Sequence, residues 1–428
     1  MRTHPKYAHA FRWGVLLSVT GSAQILIQAL GLLSGFLIIH MVSPAEYALY
    51  TLAYTVLGAI VALADGGVGG GVMAYAGRSW EDKYAMGRVV ATGMALRKVL
   101  AAVTLAVALP TLFVLLIKHG AGWIMALLIV LALVPAFLSS LTDDLLSVPI
   151  KLNQDIVPLQ KNDILANVGR ILMLAAGLFV LPFTAVAILA NGLPRIWANF
   201  KLRKISQKFA DFSAPPDPEA REEILKIVKR TLPGTIYYCI SAPVAVWLIS
   251  IYGNTTAIAE IGALSRLTSV LAVFGAVFGT LIQPRFARLP PDAGNLLRKF
   301  LLLFGGATFL YAAILVFVYF FPTQVLFVLG KNYSNLTTEV VLSAAAGCLT
   351  TLIGLVYALS ISRGWVLPPS INISLSIVVQ IVLMLSFDLS STTSVLWLTI
   401  GNAAFGVLMY SSYFLYRIYK LRTSPAPA

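Results

Sequence analysis

The sequence predicts an all-α integral membrane protein: twelve transmembrane helices in two six-helix, parallel-repeat lobes around a central cavity. Three observations carry that expectation. Twelve apolar stretches, each near the ~20 residues that cross a hydrocarbon layer, divide the 428 residues. Hydrophobic residues make up 59% of the chain and charged residues only 11%, against roughly a quarter charged in a soluble domain. With alternate gaps on one side, and Arg170 counted with the gap that precedes the fifth span, all but four of the 31 Lys and Arg fall on that side. The four are Lys118 and Lys331, on the other side, and Arg195 and Arg266, within spans. The positive-inside rule makes the basic side cytoplasmic.

The first lobe, 1–200, holds the spans Val15–Ile39, Ala48–Gly71, Val99–Ile117, Gly122–Leu141, Ile164–Leu181 and Thr184–Phe200. The second, 234–428, holds Gly234–Ile251, Ile261–Ile282, Phe300–Phe321, Val340–Ser360, Val366–Phe387 and Thr393–Tyr416. An even number of spans places both termini in the cytoplasm. The run Val15–Ile39 is too long for a signal-peptide core and suits a first span. Trp13, Trp123, Trp197, Trp247, Trp365 and Trp397 fall near span ends, at headgroup level. Between the lobes, 201–233 is a cytoplasmic linker with Ala214-Pro215-Pro216-Asp217-Pro218 as a turn signal. After it, Ile224, Leu225, Ile227, Val228 and Leu232 recur at helical spacing among Lys and Arg. That pattern suits an amphipathic helix lying on the membrane, with a plain basic connector as the alternative.

The net charge of +14 reflects topology and attraction to anionic headgroups of the inner leaflet rather than nucleic-acid binding. Cys239 and Cys348 both lie in apolar segments and frame neither a disulfide network nor a metal cluster. No cofactor is implied.

Ala45-Glu46-Tyr47-Ala48-Leu49 aligns with Ala259-Glu260-Ile261-Gly262-Ala263. In each copy a short outer loop enters a span that returns to a basic inner loop with Arg78, or with Arg285 and Arg288. Six spans is an even number, so the halves would be parallel repeats.

The stretch SGFLIIHMVSPAEYALYTLAYTVLGAIVALADGGVGGGVMAYAGR resembles the N-terminal signature of Wzx-like polysaccharide flippases. These belong to the multidrug/oligosaccharidyl-lipid/polysaccharide exporter superfamily. Ser43, Glu46, Tyr47, Asp65 and Gly66-Gly67 match; His40 stands near the usual Arg position and Ala48 replaces a Gly. LFVLGKNYSNLTTEVVLSAA resembles the family's connection between spans 9 and 10, with Gly330 and Tyr333 matching. The resemblance implies a non-enzymatic flippase of the bacterial inner membrane. Its cargo would be a lipid-linked oligosaccharide for cell-surface polysaccharide assembly, carried on polyprenyl pyrophosphate. A glycan polymerase and a chain-length regulator would be its partners.

Such a cargo drags an anionic, hydrated head through hydrocarbon, so embedded charges are the candidate site residues. Arg266 is the leading one: a guanidinium holds phosphate oxygens in a bidentate fork. Snorkelling to the outer headgroups or pairing with Glu260 are the alternatives. Arg195, beside Pro194, is a second candidate. Arg12, Arg97 and Arg170 are expected at inner span ends, as cavity-mouth residues or topology determinants. Tyr237, Gln283 and other embedded polar residues are candidate sugar contacts, or glue between helices.

Asp65, which has capping and pairing with Arg78 as its alternatives, and Glu260 are candidate coupling residues. Asp143-Asp144 read as a solvated cap ending span 4. Pro135 and Pro243 are candidate kinks.

A polytopic glycan polymerase or ligase needs a large outer loop with clustered acids, and the outer loops hold only scattered ones. The closer rival is a cation-coupled multidrug exporter of the same superfamily. That function needs a carboxylate deep in one half, whereas the acids are expected at span ends.

Overall fold

Helix α1 (Pro5–Met41) opens the chain and carries the first apolar stretch. The computed structural model describes residues 5–241, 255–327, 334–387 and 391–423. The expectations for Pro243, Gly330 and Tyr333, and for the side chains of Arg12 and Arg266, lie outside the described residues. No strand occurs among the described residues. Nine of their helices are long and apolar enough to cross a membrane. The chain divides into two compact units.

The first unit comprises Met1–Thr235 with Gly279–Arg288. After α1 come α2 (Pro44–Asp65), α3 (Val68–Ala76), α4 (Lys83–Lys118), α5 (Trp123–Asn153), α6 (Ile156–Val180), α7 (Thr184–Ser206) and the first part of α8 (Pro218–Ser241). Local chemistry sets the ends. Ser43 caps α2, accepting from the Glu46 amide at 3.3 Å, with Pro44 in the first turn. Asp82 caps α4 through the Tyr84 and Ala85 amides.

The second expected span is broken. Gly66 (φ +49°) and Gly67 (φ +95°) take left-handed conformations that end α2 and restart the chain as α3. The unit's core gathers Ile38, Ile60, Leu112, Leu133 and Phe137, all nearly inaccessible. Gly192 lets α7 approach the α5 backbone at Ala136, where a Cβ would stand 2.6 Å from the amide nitrogen. Large apolar side chains point outward instead, Phe179 at 84% exposure among them, as lipid permits.

The linker departs from expectation. Ala220, Ile224, Ile227 and Val228 are buried, and all but Ile227 join the packed interior that holds Val68, Val72, Val89 and Leu145. The α8 apolar stripe is therefore covered by protein rather than by a headgroup layer, and the glycines of α3 admit it: Ile224 rests on Gly71 and Thr231 on Gly67. Ahead of it, the Asp211 amide donates to Lys83 O at 3.0 Å, the Asp217 amide donates to the Thr92 hydroxyl at 2.8 Å, and Arg88 pairs with Asp217 at 3.4 Å.

The second unit comprises Ile236–Phe278 with Leu289–Ala428. Its elements are the end of α8, α9 (Thr255–Thr268), α10 (Ala272–Val277), α12 (Ala293–Phe320), α13 (Pro322–Phe327), α14 (Thr337–Ile361), α15 (Pro369–Ser386) and α16 (Thr392–Thr423). The expected continuous eighth span is interrupted. A 3-10 turn (Ser269–Leu271) precedes α10, and a π-helical turn (Phe278–Ile282) leads to α11 (Gln283–Ala287), which belongs to the first unit. Phe300 and Phe414 stack at 4.2 Å in the second unit's core.

The proposed half-repeat has a structural counterpart within each unit. Glu46, at the start of the second span, accepts from the Thr184 amide at 2.7 Å and hydroxyl at 2.6 Å, where α7 begins. Glu260 accepts from the Thr392 hydroxyl at 2.6 Å, where α16 begins. Thus the aligned glutamates both anchor the first turn of a later helix of their own unit, α7 in the first and α16 in the second, where a carboxylate also meets the positive helix end. Glu46→Ala should cost about 1–3 kcal/mol by leaving those donors short of a partner. An unchanged thermal midpoint of purified protein would show that the anchor carries no stability.

Candidate functional site

Six charged side chains of the first unit form two linked networks between its helices. Arg97 on α4 bridges Asp65 at the end of α2 and Asp144 on α5, the latter at 2.6 Å, and donates to Leu141 O at 2.5 Å. Arg195 on α7 bridges Asp143 on α5 at 2.8 Å and Asp163 on α6 at 3.1 Å. Asp143 and Asp144 are neighbours in the chain, about 100° apart around their helix. One dipeptide therefore joins both networks and ties together α2, α4, α5, α6 and α7.

Gly69 is what lets α3 approach. A Cβ there would fall 2.7 Å from Asp144 Oδ2 and 2.9 Å from an Arg97 nitrogen. The Asp65 carboxylate also accepts from the amides of Gly67 and Gly69, at 3.2 and 2.9 Å, so it caps α3 as well as pairing.

These positions correct several expectations. Asp143-Asp144 does not cap the end of its span: α5 runs on to Asn153, and both carboxylates are ion-paired within it, although Asp144 keeps half of its side chain exposed. Arg97 is not at an open mouth; its side chain is 4% exposed. Arg78 pairs with Glu223 at 3.7 Å rather than with Asp65. Arg170 is no span-end residue, because α6 starts at Ile156. The acids do not all sit at span ends, so the argument that set the exporter aside loses its premise. Glu260 is engaged by Thr392. Tyr237 donates to Gln380 Oε1 at 3.2 Å in the second unit, whereas Gln283 belongs to the first.

Polar side chains extend the networks along the helices. On α6, Gln160, Asp163, Asn167 and Arg170 recur at three- and four-residue steps, which is one helix face. On α7, Asn191, Arg195 and Asn199 do the same, and on α1 Thr20, Gln24 and Gln28. Cross-links confirm part of this column: Gln24 donates to Gln160 at 3.2 Å, Asn191 to the Tyr50 hydroxyl at 3.4 Å and Asn199 to Ser139 O at 2.7 Å. Asn162, 4% exposed, has neither its oxygen nor its nitrogen hydrogen-bonded. Asp163 was not singled out from the sequence, although its spacing from Gln160 and Asn167 on α6 was an available signal; Arg170 was expected only at an inner span end, as a cavity-mouth residue or topology determinant.

Among the described residues, no group of three or more His, Cys, Asp or Glu is placed to hold a metal ion. The Cys348 and Cys239 thiols are free.

No protein-family model matches the chain, and no curated protein is similar to it in sequence. Solved structures are similar in fold. A MATE crystallised in complex with MaD3S superposes with a TM-score of 0.76 at 16% identity, covering 96% of this chain and 97% of that one. An outward-facing multidrug resistance MATE family transporter of the MOP superfamily gives 0.72 at 17%, covering 96% and 97%. A MOP superfamily transporter from Pyrococcus furiosus, described as having a binding pocket of reverse polarity, gives 0.71 at 15%, covering 96% of each chain. The chain thus has an all-α fold like that of the MATE transporters, and its structural neighbours are transporters rather than enzymes.

Proposed function

We propose that this protein flips a lipid-linked oligosaccharide, carried on polyprenyl pyrophosphate, from the cytoplasmic to the outer leaflet of the bacterial inner membrane by alternating access. A glycan polymerase and a chain-length regulator would work beside it. The observation that carries the reading is the polar column of the first unit. Amides, hydroxyls and charged groups follow one another along α1, α6 and α7, at depths where a bilayer offers no water. Such a column substitutes for the hydration shell that a sugar headgroup sheds, while the lipid tail stays in the bilayer. The resemblance around Ser43-Pro44-Ala45-Glu46-Tyr47 supports the same cargo class. In this reading Arg266 and Arg12 remain candidate phosphate contacts. Arg97 and Arg195 act through the aspartates that they hold, because both are already doubly paired.

A second reading, a cation-coupled multidrug exporter, is favoured by one feature. Four aspartates face two guanidiniums, with Lys151 the further cation acting on Asp143, Asp144 and Asp163. That excess of carboxylate suits uptake of a proton or sodium ion.

Reconstitution separates the two. Liposomes with the purified chain should expose a polyprenyl-pyrophosphate oligosaccharide to a glycosidase added on the far side, faster than protein-free liposomes. Absence of that acceleration, with pH-gradient-driven efflux of an organic cation that Asp163→Asn abolishes, would transfer the assignment to the exporter. The orientation is tested in intact cells. Cysteines placed at Asn254 and Ser391 should react with an impermeant thiol reagent, and labelling of one at Ser213 would overturn the assigned topology.

A further inference from the structure

Arg170 differs from the other two arginines inside the first unit. It lies roughly 21 Å along α6 from Ile156 and about 15 Å short of Val180, near the middle of a 25-residue apolar helix. Its Nε is buried and makes no hydrogen bond, and no described carboxylate forms an ion pair with it. Arg97 and Arg195 each hold two aspartates. The nearest acid on α6, Asp163, lies two turns away, about 10 Å along the axis, and is engaged by Arg195. A cation at this depth without a counter-ion costs several kcal/mol, and such residues persist where they meet a ligand or a water-filled path.

The surroundings fit an anion. The Arg170 charge lies within electrostatic reach of the Tyr50 hydroxyl, which is itself buried and hydrogen-bonded to Asn191. That hydroxyl accepts from Asn191 at 3.4 Å, so its own proton is free to be donated. Tyr54 stacks on Tyr50 at 5.6 Å and leaves 46% of its surface open. Gly169, next to Arg170, brings α6 against Pro194 of α7, so both helices border the same spot.

We propose that Arg170, with Tyr50 and Asn191, is a mid-depth binding site for a phosphate or pyrophosphate oxyanion, built inside the first unit alone. Arg170 supplies charge and a planar donor fork, Tyr50 an O–H donor, and Asn191 fixes the tyrosine. Assigning that oxyanion to a lipid carrier rests on the flippase reading; the anion site itself does not.

The test uses the full chain in nanodiscs, with inorganic pyrophosphate and farnesyl pyrophosphate as probes in calorimetry and thermal unfolding. Wild type should bind at least one probe. Arg170→Gln should weaken binding on the order of tenfold or more, the worth of a charged hydrogen bond, while the ligand-free protein melts at the same temperature or higher because an unpaired charge has gone. Arg170→Lys should retain part of the affinity, and Tyr50→Phe should lose severalfold with the ring kept.

Binding of farnesyl pyrophosphate alone supports a lipid-borne source, and equal binding of both probes supports a site for the free anion. Either outcome upholds the site. If wild type binds neither probe, if Arg170→Gln binds as wild type, or if it melts lower without ligand, the site is overturned. Anion binding lost in Arg170→Gln, together with no glycolipid movement in liposomes, would overturn the flippase reading and leave the site standing.

Discussion

Arg97→Met should destabilise the protein by about 3 kcal/mol and sharply lower its amount in the membrane. The substitution strands Asp65 and Asp144 together, where one guanidinium now serves both. Breaking a buried pair costs about 3–5 kcal/mol. The lower end applies because Asp144 is 52% exposed and water shields part of its stranded charge. Against a typical stability of about 5–15 kcal/mol the loss is severe. Adding Asp65→Asn and Asp144→Asn to Arg97→Met should recover most of the thermal midpoint, since the carboxylates that needed the guanidinium are gone. Transport by the recovered triple variant would show that this network is scaffolding. A stable but inactive triple variant would place it in the transport cycle. A single variant that melts like wild type would refute the pairing.

Gly67→Val should be nearly as damaging, for two separable reasons. At φ +95° a β-branched residue is strained, at about 1–3 kcal/mol. Its Cβ would also stand 2.7 Å from Thr231 on the linker helix, and overpacking of that kind costs about 1–3 kcal/mol more. Thr231→Ala in the same chain removes atoms from the collision but leaves the dihedral strain, so it should recover part of the loss. Urea or thermal unfolding of the two single variants and the double gives the coupling directly. A double variant no better than Gly67→Val alone would mean that α8 does not rest on this glycine.

Much of the architecture was legible because a membrane-crossing helix announces itself as a long apolar run. The misplaced ends of the fourth and fifth spans share one cause. A charge lowers local hydropathy wherever its partner sits, so a paired aspartate reads as the end of a span. The fifth span was therefore expected to start at Ile164, when α6 begins at Ile156 and carries Gln160, Asn162 and Asp163 within it. Asp143-Asp144 was placed outside the fourth span for the same reason, although the arginines that neutralise the pair lie 52 and 47 residues away.

The linker helix failed differently. An apolar stripe at helical spacing records that one face is covered, not whether lipid or protein covers it, and here the glycines of α3 made room for protein. The grouping of Asp65 with Gly66-Gly67 was visible, but its partner was not: Arg78 is near in sequence, whereas Arg97 is near in space.

The Asp143-Asp144 dipeptide also bears on how the chain enters the bilayer. Helices are delivered in the order of synthesis, at about 5–20 residues per second. When α5 emerges, Arg97 has already been made, and Asp144 finds its partner in a helix that precedes it. Asp143 has none: Arg195 is 52 residues further on, and α6 arrives first with a second acid, Asp163. For the seconds in between, the nascent protein holds two carboxylates that no guanidinium yet serves, and they must wait protonated, in water or in the care of the insertion machinery. A ribosome stalled before α7 would display that intermediate, and its release into lipid should require α7 to follow.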